Sequence, residues 1–225
     1  MAGRQYLPME IDYDRRGFLR TAGLIAGAGA AGLLFPGVAT AASAPKIYGC
    51  ADWKARPPSD PLTTVDRPAN RILIHHMANA NSPETSLAHG CQVCLDNQQD
   101  HMDNNGWSDT GQHFTVSRGG YRFEGRHGSL SALRSGKQVV RGAHCPGQNE
   151  NAIGIENEGL YTTAEPPQAQ WKSLVVLCAY VCRQYGIPVT EIKGHRDFFN
   201  TECPGDLLYS KLPQLRADVA AALGH

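Results

Sequence analysis

Apolar and polar positions along this chain recur with two periods. Arg71-Ile72-Leu73-Ile74-His75-His76-Met77 is a short apolar run of β-rich residues following Asp66-Arg67-Pro68, and its length predicts a buried strand. Residues 112–117 alternate, Arg118-Gly119-Gly120 turns the chain, and residues 121–125 return. A Gly-rich stretch and Val139-Val140-Arg141-Gly142-Ala143-His144 lead to a further strand over 152–159. There alternation puts Ile153 and Ile155 on one face and Glu156 and Glu158 on the other. Elsewhere the period lengthens to that of a helix. Ser82-Pro83-Glu84 predicts a helix start, with Leu87, Cys91, Cys94, Leu95, Gln98 and Met102 at helical spacing and Asn104-Asn105-Gly106 as the stop. Residues 168–184 are amphipathic, with Trp171, Leu174, Val175, Cys178, Val181 and Cys182 on the apolar side, and a last helix spans about 207–223. Short strands separated by long helices predict a single α/β domain, a central mixed β-sheet packed by helices.

The first 42 residues read differently. Arg15-Arg16 is followed by Phe18-Leu19, an apolar Ala/Gly-rich run from Thr21 to Phe35 and small residues through Ala44. That is the order of a twin-arginine export signal, removed on export. The apolar run is too short and Gly-rich for a membrane span, so the remaining chain is expected to have no stable membrane insertion. Gly27-Ala28-Gly29-Ala30-Ala31-Gly32 matches a dinucleotide fingerprint but lacks the flanking strand and helix that give it meaning. Residues 43–67 are then expected to form an irregular N-terminal segment, and 68–225 the main domain.

The full chain has 21 Lys+Arg against 21 Asp+Glu. The leader holds Arg4, Arg15, Arg16 and Arg20 against Glu10, Asp12 and Asp14, so the rest carries a formal net charge of −1. A neutral domain without basic blocks argues against nucleic acid as a partner. Seven cysteines in an exported chain invite disulfides among Cys50, Cys91, Cys94, Cys145, Cys178 and Cys182, with the C-x-x-C at 91–94 read as a structural bridge or as buried thiols.

The densest chemistry lies in Gly194-His195-Arg196-Asp197-Phe198-Phe199-Asn200-Thr201-Glu202-Cys203-Pro204-Gly205-Asp206. His195 and Cys203 are too far apart for one helical face, but a loop that doubles back can bring them to one point. Imidazole with thiolate is a donor pair that suits Zn2+. A third ligand is available at a strand end, where His75 and His76 are adjacent. Neighbours on a strand face opposite ways, so only one of the two looks into a given site. Glu156 and Glu158 form either a solvated edge or a source for a general base. His89 and His101 are read as solvent-facing helical histidines rather than a second metal site.

In order along the chain stand Ile-Leu-Ile-His-His, Gly-Trp-Ser-Asp-Thr-Gly-Gln-His-Phe, Gly-Ala-His, Ile-Gly-Ile-Glu, and Gly-His-Arg-Asp with Thr-Glu-Cys-Pro-Gly-Asp. Together they resemble the type 2 N-acetylmuramoyl-L-alanine amidases, the family of the peptidoglycan recognition proteins and T7-type lysozyme. The resemblance implies zinc held by His75, His195 and Cys203, and Glu156 as the catalytic carboxylate. It implies Thr201 as an oxyanion donor, and cleavage of the amide between the lactyl group of N-acetylmuramic acid and L-Ala. His76, Trp107, Gln112 and His144 are expected on the substrate side. Gln112 stands where the recognition-protein and phage branch has a catalytic tyrosine, whereas Glu156 matches the carboxylate of the branch that lacks it. The expected enzyme is secreted to the cell wall or periplasm and acts as a monomer on peptidoglycan or muropeptides. A non-catalytic peptidoglycan-binding module of the same fold is the alternative.

Overall fold

The computed structural model describes residues 44–225, and the expected export signal lies outside the described residues. A five-stranded sheet runs in the order β4 (Arg122–Glu124), β3 (Phe114–Val116), β6 (Ala152–Asn157), β2 (Arg71–His76) and β7 (Ile192–Gly194). The last four are parallel neighbours and β4 is antiparallel to β3, so the sheet is mixed, as the pattern predicts. β1 (Thr64–Val65) and β5 (Val139–Val140) form a separate antiparallel pair.

The central strands read as continuous apolar runs because both of their faces are covered. On one face Ile72, Ile74, Phe114, Val116, Ile153, Ile155 and Ile192 form the main core. They meet Leu174, Leu177 and Val181 of α3 (Gln168–Tyr185), Leu130 and Leu133 of α2 (Ser129–Ser135), and Leu215 and Val219 of α5 (Leu212–Leu223). On the other face α1 (Leu87–Gln99) places Cys94 in a second cluster with Cys50, Trp53 and Phe123. Gly90 permits this close approach, since a Cβ there would lie 2.8 Å from Phe123 Cζ. Among the described residues no helix is long and apolar enough to cross a membrane.

Two helix boundaries differ from the sequence expectation. The N-cap of α1 is Ser86, whose Oγ accepts the His89 N–H at 3.1 Å, one turn after the Ser-Pro-Glu signal. Ser82 serves a turn ahead of the helix instead, accepting the Glu84 N–H. The final helix is two, α4 (Asp206–Ser210) and α5, because Pro213 cannot donate to a continuing helix and suits the first turn of a new one.

The expected disulfides are not formed: all seven cysteines are free thiols. Cys178 and Cys182 enter the main core, and Cys50 and Cys94 the second cluster, as small apolar side chains. Burial pushes the Cys94 and Cys178 thiols well above their usual range. His101 is also not solvent-facing. It is buried, and its Nδ1 accepts the Gly111 N–H at 3.0 Å. Glu158 is fully buried rather than on a solvated edge, with Oε1 2.8 Å from His89 Nε2 and Oε2 accepting the Arg118 N–H.

A second buried acid ties α1 to the loop before α2. Asp109 accepts from the His127 N–H at 2.8 Å, His127 Nδ1 at 2.9 Å and Gln98 Nε2 at 2.8 Å. Burial opposes its charge, but these hydrogen bonds outweigh burial and hold the carboxyl below its usual range. The bond to Asp109 in turn raises His127. The stabilisation from His127 is complete below the unfolded imidazole value of about 6.5 and is lost as pH rises through the higher folded value. That from Asp109 is lost at the acid end, as pH falls through its depressed value. We expect His127→Gln to cost about 1–2 kcal/mol at pH 6. Urea melts at pH 6 and pH 9 should show that the cost shrinks at the higher pH; an equal cost at both would remove the ion pair.

Candidate metal centre at the carboxyl end of the sheet

Parallel pairing in register sets matched residues of neighbouring strands on the same face. His75 is paired with Glu156, and Glu156 with Thr115. Ile74 is paired with Gly194 at the end of β7, so the next residue, His195, comes beside His75. The result is a row of His195, His75, Glu156 and Thr115 across the carboxyl end of the sheet, on the face opposite Ile74 and Ile155. Buried Asn157 anchors this register: its Nδ2 donates to the His75 carbonyl at 2.8 Å, and its own carbonyl accepts the Met77 N–H.

Past β7 the chain turns through His195–Asp197 and doubles back. Asp197 Oδ2 accepts the Gly194 N–H at 2.8 Å, the Arg196 N–H donates to the Cys203 carbonyl at 3.2 Å, and Thr201 Oγ1 accepts the Cys203 N–H at 3.2 Å. This loop sets Cys203 Sγ 3.6 Å from His75 Nδ1. The His75 and His195 rings lie 4.4 Å apart between centroids, and one donor atom from each of His75, His195 and Cys203 lies within 4.8 Å of the others.

The donor set fits zinc. Ligands held tetrahedrally at ordinary Zn–N and Zn–S lengths are about 3.5 Å apart, close to the spacing of the His75 nitrogen and the thiol. His195 Nε2 is buried with no hydrogen-bond partner. Burial, then the neighbouring histidines, lowers His75 well below its usual value, and burial lowers His195, so both imidazoles are neutral and able to ligate. Burial likewise pushes the Cys203 thiol up to about 12, so a thiolate here requires a cation beside it.

His144, expected to line the groove, sits behind His75 at 7% exposure, its Nδ1 3.1 Å from His75 Nε2. With His75 Nε2–H donating to it, the His75 Nδ1 lone pair faces Cys203. The ring occupies space that a side chain at 154 would fill: a Cβ on Gly154 would lie 2.6 Å from His144 Cγ. His76 turns to the opposite face, where its Nδ1 accepts the Tyr161 N–H at 3.3 Å and burial lowers its pKa to about 4.

Glu156 is half-buried, and desolvation raises its pKa to about 8, opposed by the Asn97 Nδ2 donor at 3.3 Å from Oε2. Gln112, expected on the substrate side, is only 1% exposed. Its Nε2 donates to Asn97 Oδ1 at 2.8 Å and to Thr115 Oγ1 at 2.9 Å. The sequence reading missed Asn97. Its signal is helical spacing, four residues after Val93 and three after Cys94, on the face of α1 that meets the sheet.

A cavity of about 220 Å³ is lined by Met77, Asn79, Val93, Asp96, Asn97 and Asp100, between the end of β2 and α1. Another, of about 300 Å³, is lined by Trp107, Arg126, Arg141, Gly142 and Ala143 among others, so Trp107 faces a cavity. Buried Arg126 is held there by an Nη1 bond of 2.8 Å to the Thr110 carbonyl.

Comparison with known proteins bears on this geometry. Residues 65–206 match the family model described as N-acetylmuramoyl-L-alanine amidase. Peptidoglycan-recognition protein LB of Drosophila melanogaster is 30% identical over 181 residues, covering 78% of this chain and 69% of that one. Its solved structure superposes with a TM-score of 0.64, covering 74% and 92% of the two chains. The human N-acetylmuramoyl-L-alanine amidase is 29% identical over 170 residues, 75% of this chain but 28% of the human protein's length. A peptidoglycan recognition protein LE, solved with tracheal cytotoxin (monomeric diaminopimelic acid-type peptidoglycan), superposes with a TM-score of 0.64 at 26% identity, covering 75% and 92%.

Proposed function

We propose a zinc amidase here, on the premise that the chain belongs to the N-acetylmuramoyl-L-alanine amidase family. It hydrolyses the amide that joins the lactyl group of N-acetylmuramic acid to L-Ala of the stem peptide, and it does so outside the cytoplasmic membrane, reached by the twin-arginine route. The observation that carries this reading is the convergence of His75, His195 and Cys203, with Glu156 beside His75 in the row across the sheet. The relative bound to a peptidoglycan fragment supports the same class of partner.

His75, His195 and Cys203 would hold the metal, leaving a fourth position open, as catalytic rather than structural zinc sites do. Zinc held there supplies Lewis acidity to the scissile carbonyl and to the attacking water. Glu156 takes the proton from water as the carbonyl carbon is attacked. It then gives that proton to the departing nitrogen, so the C–N bond breaks to a lactyl carboxylate and the free amine of L-Ala. The Thr201 hydroxyl, fixed by the Cys203 N–H, remains able to donate to the oxyanion. Trp107, Arg126 and Arg141 offer an aromatic face and two cations to the carboxylates of a stem peptide.

The test pairs two measurements: zinc per protein, and mass spectrometry of muropeptide incubated with the chain. About one zinc, with release of stem peptide bearing a new L-Ala amine that stops on chelation and returns with zinc, is the expected result. One zinc with tight binding and no release assigns the chain to the non-catalytic recognition modules. Absence of zinc defeats the metal centre.

A further inference from the structure

Within the amidase reading, on which this inference rests, we propose that Gln112 is a positioning residue that acts on Glu156 through Asn97 and touches neither substrate nor metal. The link is a chain of side-chain amides. Gln112 Nε2 donates to Asn97 Oδ1 at 2.8 Å, and Asn97 Nδ2 donates to Glu156 Oε2 at 3.3 Å. An amide has one donor end and one acceptor end. By occupying the acceptor end of Asn97, Gln112 turns its donor end to the carboxylate.

Three further features hold the relay. Gln112 Nε2 also donates to Thr115 Oγ1 at 2.9 Å, and Thr115 is the register neighbour of Glu156 on β3, so the amide is fastened to the strand that carries the next group in the row. Gln112 is 1% exposed and its Oε1 is buried without a partner, which leaves it no path to a ligand in the groove. Asn97 is half-buried on α1 and lines the cavity beside the end of β2, so it is the member of the relay that substrate can approach. The relay therefore ties the orientation of Glu156 to the seating of α1 on the sheet.

The test removes one donor. Gln112→Met keeps the length but offers no N–H, so the acceptor end of Asn97 is no longer held and its amide is free to present its carbonyl oxygen to Glu156. In the zinc-loaded full chain acting on a soluble muropeptide, we expect kcat to fall by about tenfold or more, with KM and zinc content unchanged. Asn97→Ala should cost a similar factor. Adding Gln112→Met to Asn97→Ala should cost nothing further, because the link it acts through is already gone.

Three results would overturn the proposal. One is a Gln112→Met enzyme with kcat within about twofold of the parent. Another is a rise in KM at constant kcat, which would put Gln112 on the substrate. The third is a full additional loss in the Asn97→Ala background, which would mark a general structural defect. A parent chain that loads zinc but releases nothing is a different failure, that of the amidase reading itself.

Discussion

Glu156→Gln is expected to leave zinc content and KM near their parental values while kcat falls by ~10²–10⁴-fold, the usual worth of a positioned proton carrier. The substitution keeps the shape and the hydrogen bond from Asn97, since Gln retains an acceptor oxygen for that donor. What it removes is the ability to take a proton from water and return it to the amine. Burial already gives Glu156 a higher proton affinity than an exposed carboxylate, with a pKa of about 8, and no other carboxylate stands on the row of His195, His75, Glu156 and Thr115. Steady-state kinetics on a soluble muropeptide, with metal analysis of the same sample, separates the two effects. A kcat within a few-fold of the parent would remove Glu156 as the base.

Cys203→Ser should act one step earlier, on the metal. A serine hydroxyl is a neutral, harder donor, and it leaves two imidazoles to hold the ion. Loss of a residue that merely hydrogen-bonds a ligand already weakens zinc binding by about 10–100-fold, so loss of this ligand should cost at least ~10²-fold, and turnover should follow zinc occupancy. Competition with a chromogenic chelator measures the affinity without reference to activity. Melting of parent and variant in excess chelator checks the fold, and the two should agree, because Cys203 lies in a half-buried loop outside the sheet. A variant that keeps one tight zinc and full turnover would displace Cys203 from the ligand set.

Much of the architecture was legible in the sequence because the governing patterns are local. The apolar run at 72–74 and the alternation at 152–157 define strands whose buried faces the structure repeats, and the helical spacing from Trp171 to Cys182 defines α3. The misses were also local. Ser82 and Ser86 both fit the chemistry of a cap, and the structure gives the helix to Ser86 and a preceding turn to Ser82. Pro213 stands inside the span 207–223, and apolar periodicity alone does not register the break it makes. Compartment suggests bridges among the cysteines, whereas the structure sets Cys50, Cys94, Cys145, Cys178 and Cys182 in buried apolar clusters and Cys91 half-buried against one of them.

The site residues were legible as chemical types but not by their surroundings. Nothing in Gly-Ala-His reveals that Gly154, ten positions on, vacates room for the His144 ring. Gln112 has the strand parity of Phe114 and Val116, but the chain enters β3 irregularly and its amide bonds to Thr115, which faces the other way. Such facts depend on which strands become neighbours, and periodicity within one strand does not contain that.

Two consecutive histidines at the end of β2 look like redundancy, and the anchoring of that strand says they are not. Ile72-Leu73-Ile74 is apolar at every position and buried on both faces, so a slip of one residue would still bury three aliphatic side chains and would offer His76 to the row in place of His75. Hydrophobicity alone therefore does not choose between the two alignments. The second histidine does, because its Nδ1 accepts the Tyr161 N–H at 3.3 Å on the opposite face, and a slip would put Met77, with only a weak thioether acceptor, in that place. In this chain the identity of the ligand is tied to a histidine that faces away from the metal site, and His76 is where an error of alignment would be caught.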